Sequence, residues 1–438
     1  MPGRLEVSMT STTPIAATAR LLPTRGVQLG RGARMPLAAA GLAEHRARYG
    51  AVPAIRDARE LAAVVDAAGV RGRGGAGFPT ARKITAVAAG RRRPIVVVNA
   101  CESEPASNKD AVLLRGATHL VLDGALIAAR ALRAPTVVVC LHRGDPVTAQ
   151  LSAAMAERGG DGVDWRLAEV PRRYVASEAS ALARFLTDGE ARPTARPPRP
   201  EQRGVRGRPT LIDNAETLAQ LALAVRYGPD WYRAVGTRSD PGTALVTVSG
   251  CVARPGVYEI ELGAPLSAAI GAAGGPAAPI GGTLVGGYGG TWVRDPGLPL
   301  SHDPAGPDGT TIGAGAIVAL PADACGVTET ARVLRFLAGE SAGQCGPCAF
   351  GLPAVADDVA RLAAGRVDAD LAARLTRRLR QVNGRGACAH PTGAVRLARS
   401  MLRAFADDLR AHQAGRPCPP RPPVLPIPAP TMMERTWQ

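Results

Sequence analysis

Short continuous apolar runs alternate, along the first half of the chain, with longer stretches whose apolar residues recur every three or four positions. "PIVVVNA" (94–100) and "PTVVVCL" (135–141) are β-branched runs of strand length, and "VDWRLAEV" (163–170) is a weaker third. Runs of this kind predict strands buried on both faces. "DARELAAVVDAAGV" (57–70), "KDAVLLRGATHLVLDGALIAARAL" (109–132), a segment at 146–158 and "SEASALARFLTDG" (177–189) carry helical spacing. Strand and helix in alternation predict an α/β sandwich around a largely parallel sheet. A Pro- and Arg-rich linker then leads to "TLIDNAETLAQLALAVRYG" (210–228), which reads as one more helix.

The texture changes near residue 242. "TALVTVSGCVARPGVYEIELGAPLSAAIGAAGG" gives strand, Pro-Gly turn, strand and short helix, with further short strands to about 320. From about 327 helical spacing returns in four stretches, the last being "PTGAVRLARSMLRAFADDLRAHQAG". The predicted organisation is a loose Arg/Pro/Ala-rich tail (1–45), an α/β domain (46–240), a small β-rich domain (241–325), a four-helix bundle (326–415) and a Pro-rich tail (416–438).

Composition refines this picture little. Aromatics are 3% of the chain, so Ala, Leu and Val must fill the interior. The net charge of +16 invites a nucleic-acid reading, but the arginines are spread over the whole length and no aromatics interleave with them as base platforms would. A basic surface still favours anionic cofactors and acidic partners. The first 45 residues lack a signal-peptide pattern, and no transmembrane helix is expected, which points to a cytoplasmic chain. Cys325, Cys345, Cys348 and Cys388 gather in the C-terminal quarter, a distribution that reads as metal binding in a reducing compartment. Cys140 and Cys251 read as core thiols, and Cys418 receives no role.

Two stretches carry unusual chemistry. In "GVRGRGGAGFPTARK" (69–83), Gly72, Gly74 and Gly77 satisfy G-x-G-x-x-G, yet the loop follows a helix where a dinucleotide fingerprint needs a strand. One reading is a flexible surface loop. The other is bare backbone that lets a flat or phosphorylated ligand approach, with Lys83 adding charge. The run "NACESEPASNKD" places Asn99, Glu102 and Glu104 at the carboxyl end of a parallel strand, where open α/β sheets bind ligands. The only two lysines, Lys83 and Lys109, stand in these two stretches.

Six ordered motifs, "GVRGRGGAGFPTARK", "NACESEP…KD", "YVASEASAL", "GRPTLIDNAETLA", "SGCVARPGVYEIELG" and "ESAGQCGPC", resemble the family of FMN-containing, NADH-binding subunits of respiratory complex I and of hydrogenase and formate dehydrogenase diaphorases. The resemblance covers about residues 55 to 410. It implies a Rossmann-like FMN domain, a small β-grasp domain of the SLBB type and a helical domain with a [4Fe–4S] cluster. It also implies that Gly72, Arg73, Gly74, Gly75 and Gly77 wrap the flavin and that Lys83 reaches its phosphate or ribityl chain. Asn99, Glu102, Tyr174, Glu178, Asp213 and Asn214 fall at flavin or nicotinamide positions, Glu102 and Glu178 being the catalytic candidates. By the same resemblance Phe78 stacks on adenine, and Glu104 meets the ribose and favours NADH over NADPH. A partner subunit or a ferredoxin would take the electrons, and other subunits could tie the chain to a membrane complex.

The chain departs from the family pattern at Cys101 for Asp, at Ser177-Glu178-Ala179-Ser180, at Asp213 for Asn and at Arg199 for a second adenine-stacking Phe. These changes leave open a relative that has lost NADH use and is reduced by a ferredoxin or another partner. Ala342 replaces the first cluster cysteine, so the ligand set reads as Cys325, Cys345, Cys348 and Cys388. A three-cysteine cluster and a zinc site that uses His390 are the alternatives, the latter within a basic zinc-stabilised scaffold.

Overall fold

Four parallel strands carry the first half of the chain, in the spatial order Asp164–Val170, Thr136–His142, Ile95–Asn99 and Thr210–Asn214. The fold is a computed structural model describing residues 20–22, 26–28, 40–195, 198–429 and 436–438. Three of the strands match the apolar runs. The fourth corrects the sequence reading: "TLIDN" is a strand, and the helix Ala215–Arg233 begins only after Asn214, whose side chain caps it by accepting from the Glu216 N–H at 3.0 Å. A five-residue strand with only Leu211 and Ile212 apolar, directly before a helix, carries no periodicity of its own to separate it.

The helix Lys109–Leu132 is long and apolar enough to cross a membrane, but 78% of its most apolar window is buried against this sheet and its neighbours. It is a core helix. A break at Ala117 (φ −146°) frees carbonyls that the Gln150 amide satisfies, at 2.9 Å from Leu114 O. Gly124 lets it cross Ala215–Arg233 closely, since a β-carbon there would lie 1.9 Å from the Leu218 carbonyl oxygen.

The second sheet has the order Gly26–Gln28, Gly256–Glu261, Thr243–Gly250, Ala316–Pro321, Ile280–Val285 and Thr291–Val293. Thr243–Gly250 and Ala316–Pro321 pair in parallel at its centre, the other pairs are antiparallel, and the helix Leu266–Ala272 packs against it. Without its first strand this is the β-grasp arrangement.

Most of the expected N-terminal tail lies outside the described residues, and what is described is fastened rather than loose. Gly26–Gln28 extends the sheet, and Leu21 and Leu22 are fully buried with their N–H groups on the Glu259 carboxylate. At the other end, Leu425 and Trp437 of the Pro-rich tail are also buried. The helical region holds Gly326–Gly339, Leu352–Ala363, Leu371–Val382 and His390–Ala404, followed by a separate Ala406–Gln413. The sequence reads the last two as one helix. Phe405 divides them by leaving helical geometry (φ −119°, ψ 41°) to stack edge-on against Trp292 at 5.0 Å.

Gly124→Ala is expected to lower the stability of the purified chain by about 1–3 kcal/mol, read by thermal unfolding, because two core helices must part. Gly160→Ala, with nothing within 4 Å of the new carbon, serves as the control and should change little.

Candidate functional site

The carboxyl edge of the parallel sheet gathers the two unusual sequence stretches. Asn99 and Asn214 end neighbouring strands and are register partners. The glycine loop arches over this edge, closed by Gly72 N–H to Phe78 O (2.8 Å) and Thr80 N–H to Val70 O (3.1 Å), and it leads into the helix Thr80–Ala88. Gly75 (φ 109°) and Gly77 (φ 58°) take conformations that side chains disfavour. Gly74 differs from them. It is exposed, and a β-carbon there would meet only Asn214 Cβ, at 3.6 Å. The loop therefore offers bare backbone to whatever lies against Asn214, a cradle that suits a flat ring. Asp213 Oδ2, buried beside it, has no hydrogen-bond partner among the described residues.

Both lysines converge here. Lys109 Nζ donates to Asp110 (2.9 Å), Glu216 (3.0 Å) and Asn214 (3.3 Å) in a buried cluster. Burial opposes its charge, but Asp110 and Glu216 outweigh it and hold the ammonium above its ordinary range. Lys109, Asp110 and Glu216 lie inside the quoted motifs without being assigned to the site there; the scarcity of lysine singled out Lys109 alone. The Lys83 ammonium lies on Asp213 Oδ1 (2.7 Å) and the Ile212 carbonyl (2.9 Å). Burial nevertheless holds the Asp213 carboxyl above its usual range, against the pull of Lys83.

Arg73 is a correction. Its guanidinium is buried and donates to the Thr243 carbonyl (3.0 Å) and Tyr232 Oη (3.2 Å), with a His302 ring nitrogen at 3.2 Å. It clamps the glycine loop to the β-grasp domain. Arg71 adds a second clamp on Asp303, at 2.6 Å. Gly77 faces the same domain, since a side chain there would strike His302.

The acidic run divides its labour. Glu102 accepts from Ser107 Oγ (2.5 Å), Asp110 N–H (3.2 Å) and Ala111 N–H (3.1 Å), so it satisfies the start of the helix Lys109–Leu132. Burial and then Asp110 push its carboxyl up. Glu104 accepts from Tyr174 Oη and Tyr288 N–H, both at 2.9 Å, and dense surroundings raise it to about 7 although part of the side chain reaches solvent. Glu178, a catalytic candidate from the sequence, caps the helix Ala179–Asp188 through the Ser180 hydroxyl and N–H. Phe78 meets Arg199, whose guanidinium carbon lies 5.7 Å from the ring centroid.

Tyr174 connects this site to the helical domain. Its N–H donates to Glu340 Oε2 (3.0 Å), and its ring lies 5.5 Å from that of His390 and 5.8 Å from that of Phe336. His390 starts the helix that follows Cys388, and its Nε2 is held by the Leu337 carbonyl at 2.8 Å. Cys345, Cys348 and Cys388 come together: the Cys348 thiol is buried and pushed up by desolvation and by the other two sulfurs. Three soft donors of this kind suit an iron–sulfur cluster. Cys325 does not join them. Its sulfur lies 3.3 Å from His412 Nε2, beside Cys418, which corrects the four-cysteine set. Cys325 caps Gly326–Gly339, its sulfur accepting from the Thr328 N–H.

Comparison with known proteins follows the same partition. Residues 65–223 match the Nuo51 FMN-binding domain, 245–285 the SLBB domain and 328–412 the NADH-ubiquinone oxidoreductase-F iron-sulfur binding region. The chain is 33% identical over 379 residues to an NADH-quinone oxidoreductase subunit of Streptomyces coelicolor, covering 82% of this chain and 84% of that one. It is 31% identical over 376 residues to the like-named Escherichia coli protein, covering 80% and 84%. A solved structure of NAD+-reducing [NiFe]-hydrogenase in the air-oxidized state superposes with a TM-score of 0.79 at 30% identity, over 86% of this chain and 68% of that chain. In the H2-reduced state the values are 0.76 and 31%, over 81% of this chain and 63% of the hydrogenase chain.

Glu104 makes the pH dependence of stability predictable. Its folded pKa of about 7 lies above the ordinary 4.5, so the folded chain binds this proton more tightly. The stabilisation is fully present below about pH 4.5 and is lost as pH rises through about 7. Between pH 5 and 8 the wild type should lose of order 1–2 kcal/mol more than Glu104→Gln, a figure discounted for partial exposure and read by thermal or denaturant unfolding. Parallel pH profiles would contradict this.

Proposed function

The chain belongs to the family of FMN- and iron–sulfur-binding subunits of NADH-quinone oxidoreductase, and from that membership we propose that it is a flavoprotein subunit that oxidises NADH and delivers the electrons singly to a partner. The observation that carries the reading is the Tyr174 link. One side chain is hydrogen-bonded to Glu104 in the ligand-binding run and stacked near His390, two residues from Cys388. Nucleotide site and cluster site therefore adjoin through packed side chains.

FMN and a [4Fe–4S] cluster, when bound, supply the conversion of a two-electron donor into one-electron steps. The chain's residues bind and orient. Backbone from Gly72 to Gly75, with Asn99 and Asn214, would hold the flavin, and the Lys109 cluster fixes Asn214 from behind. Lys83 and Asp213 would set the charge beneath it. Glu102 and Glu104, both pushed toward the protonated form, hold protons at the rim and limit negative charge where anionic phosphates must enter. The contact between Arg199 and Phe78 supports an adenine platform in which a guanidinium plane takes the place of a second ring, and it favours NADH over the ferredoxin-linked reading. Cys345, Cys348 and Cys388 would hold the cluster, with Ala342 leaving one iron to a ligand other than cysteine.

The electrons leave for a partner subunit of a complex I-like or hydrogenase-like assembly. A cytoplasmic site, peripheral to a membrane through such partners, is part of this reading; all eight cysteines being free thiols supports it.

Gly74→Val tests the flavin site. The new side chain finds only Asn214 on the protein and no strained backbone, so the variant should fold like flavin-free wild type. It should nonetheless lose bound flavin on purification and its yellow absorbance. Full flavin occupancy in this variant would overturn the assignment.

A further inference from the structure

A second cluster of soft ligands stands apart from the three cysteines of the proposed iron–sulfur site. Cys325 and His412 are buried, Cys418 is half-buried, and their ligand atoms all lie within 4.8 Å of one another. We propose that Cys325, His412 and Cys418 form a zinc-binding site that fastens the C-terminal segment onto the helical domain.

The spacing suits the ion. Tetrahedral zinc, with bonds of about 2.0–2.3 Å, sets its donor atoms roughly 3.5–3.8 Å apart. The Cys325 sulfur already lies 3.3 Å from His412 Nε2. The imidazole is also oriented for the task. His412 Nδ1 donates to the Leu362 carbonyl at 3.2 Å, which leaves the Nε2 lone pair facing the sulfurs. Metal-bound histidines are commonly fixed by such an outer hydrogen bond. At present Nε2 accepts from the Cys418 N–H (3.2 Å), a contact that a metal would replace.

Local structure explains why the three meet. Cys325 is the cap of Gly326–Gly339, and its sulfur accepts from the Thr328 N–H at 3.4 Å. His412 lies in the short helix that the break at Phe405 redirects. Cys418 stands between prolines in the tail segment. Beyond it, the N–H groups of Val424 and Leu425 reach Glu329, and Tyr288 donates to the Pro426 carbonyl. A metal at this point would tie that segment to the strand and helix on either side of Cys325.

Two thiols lose their protons on binding, so one divalent ion gives a neutral core, as burial requires. Two thiolates and an imidazole select zinc among the common ions. Water completes four-coordination and keeps the core neutral. Because both thiols must lose protons to bind, occupancy should fall in acid, where protons compete.

The test measures zinc and iron together in full-length protein produced anaerobically with added zinc. Wild type should carry about one zinc per chain besides its cluster iron. Cys418→Ser should lower zinc at least about tenfold and leave iron and the reduced-state EPR signal unchanged. Cys325→Ser keeps an oxygen acceptor for Thr328 and should give the same result if the first variant folds poorly. Cys345→Ser should lose iron and keep zinc. Wild type with less than about a tenth of an equivalent of zinc would overturn the proposal. So would zinc that survives both Cys418→Ser and Cys325→Ser, zinc that leaves with Cys345→Ser, or a Cys325–Cys418 disulfide detected by mass in the native chain. Because zinc is read separately from flavin and iron, failure here and failure of the proposed function are distinguishable.

Discussion

The Lys109 ammonium is the contact on which the ligand edge depends. It stands at the first position of one helix and faces the first turn of another, Ala215–Arg233, so both dipoles oppose a cation there. Asp110 and Glu216 reverse that field, and they are themselves acidic residues at helix starts. The same Glu216 accepts the Leu245 N–H of the β-grasp domain at 2.9 Å, and its other contacts approach Arg73 at 3.8 Å. One buried charge cluster therefore sets the spacing of two core helices, places Asn214 and joins the second domain to the glycine loop. Removing one member would strand an uncompensated charge, a far larger loss than the net worth of the cluster itself.

From this anchor the three bodies meet around Glu104. Tyr174 approaches from the parallel-sheet domain, the Tyr288 N–H from the β-grasp domain, and Glu340 of the helical domain holds both Arg173 (2.9 Å) and the Tyr174 N–H. Burial makes this carboxyl costly to ionise, and the donors from two domains order it while offsetting that cost only in part, so its proton is retained toward neutral pH. The junction is thus rigid and weakly charged. Both properties suit a place where the two redox sites adjoin, because packing fixes their separation while little charge has to rearrange.

Legibility in the sequence followed the kind of signal each feature leaves. The buried strands at 94–100 and 135–141 and the helix 109–132 were readable because they are long, uniform or strictly periodic. "TLIDN" was not, because a parallel strand and a helix start share the same apolar letters. The division at Phe405 was hidden, since only its packing on Trp292 breaks an unbroken helical period. At the site, motif spacing located the loop and the acidic run, yet it could not say which way a side chain turns. Arg73 looks like a ligand contact in the motif and is a domain clamp in space. Cys325 looks like the missing cluster ligand by proximity in sequence and lies with His412 instead. Direction is a tertiary property, and no local pattern encodes it.

The same reasoning changes the meaning of the net charge. Among the described residues Arg20, Arg73, Arg158 and Arg173 are buried, and each donates to a backbone carbonyl. Arg20 takes Trp231 and Tyr232 near the end of Ala215–Arg233, and Arg173 takes Gly339 at the end of Gly326–Gly339. Cations at helix C-termini complement the dipole, and the planar fork reaches a carboxylate and a carbonyl at once. Arg158 does both with Asp161 and the His119 carbonyl. A lysine is a single point of charge and cannot bridge in this way. The two lysines set a compact ammonium on buried carboxylates, Lys83 on Asp213 and Lys109 between Asp110 and Glu216. Part of the basicity that suggests a nucleic-acid surface is therefore internal, spent on joining helices and domains around the redox sites.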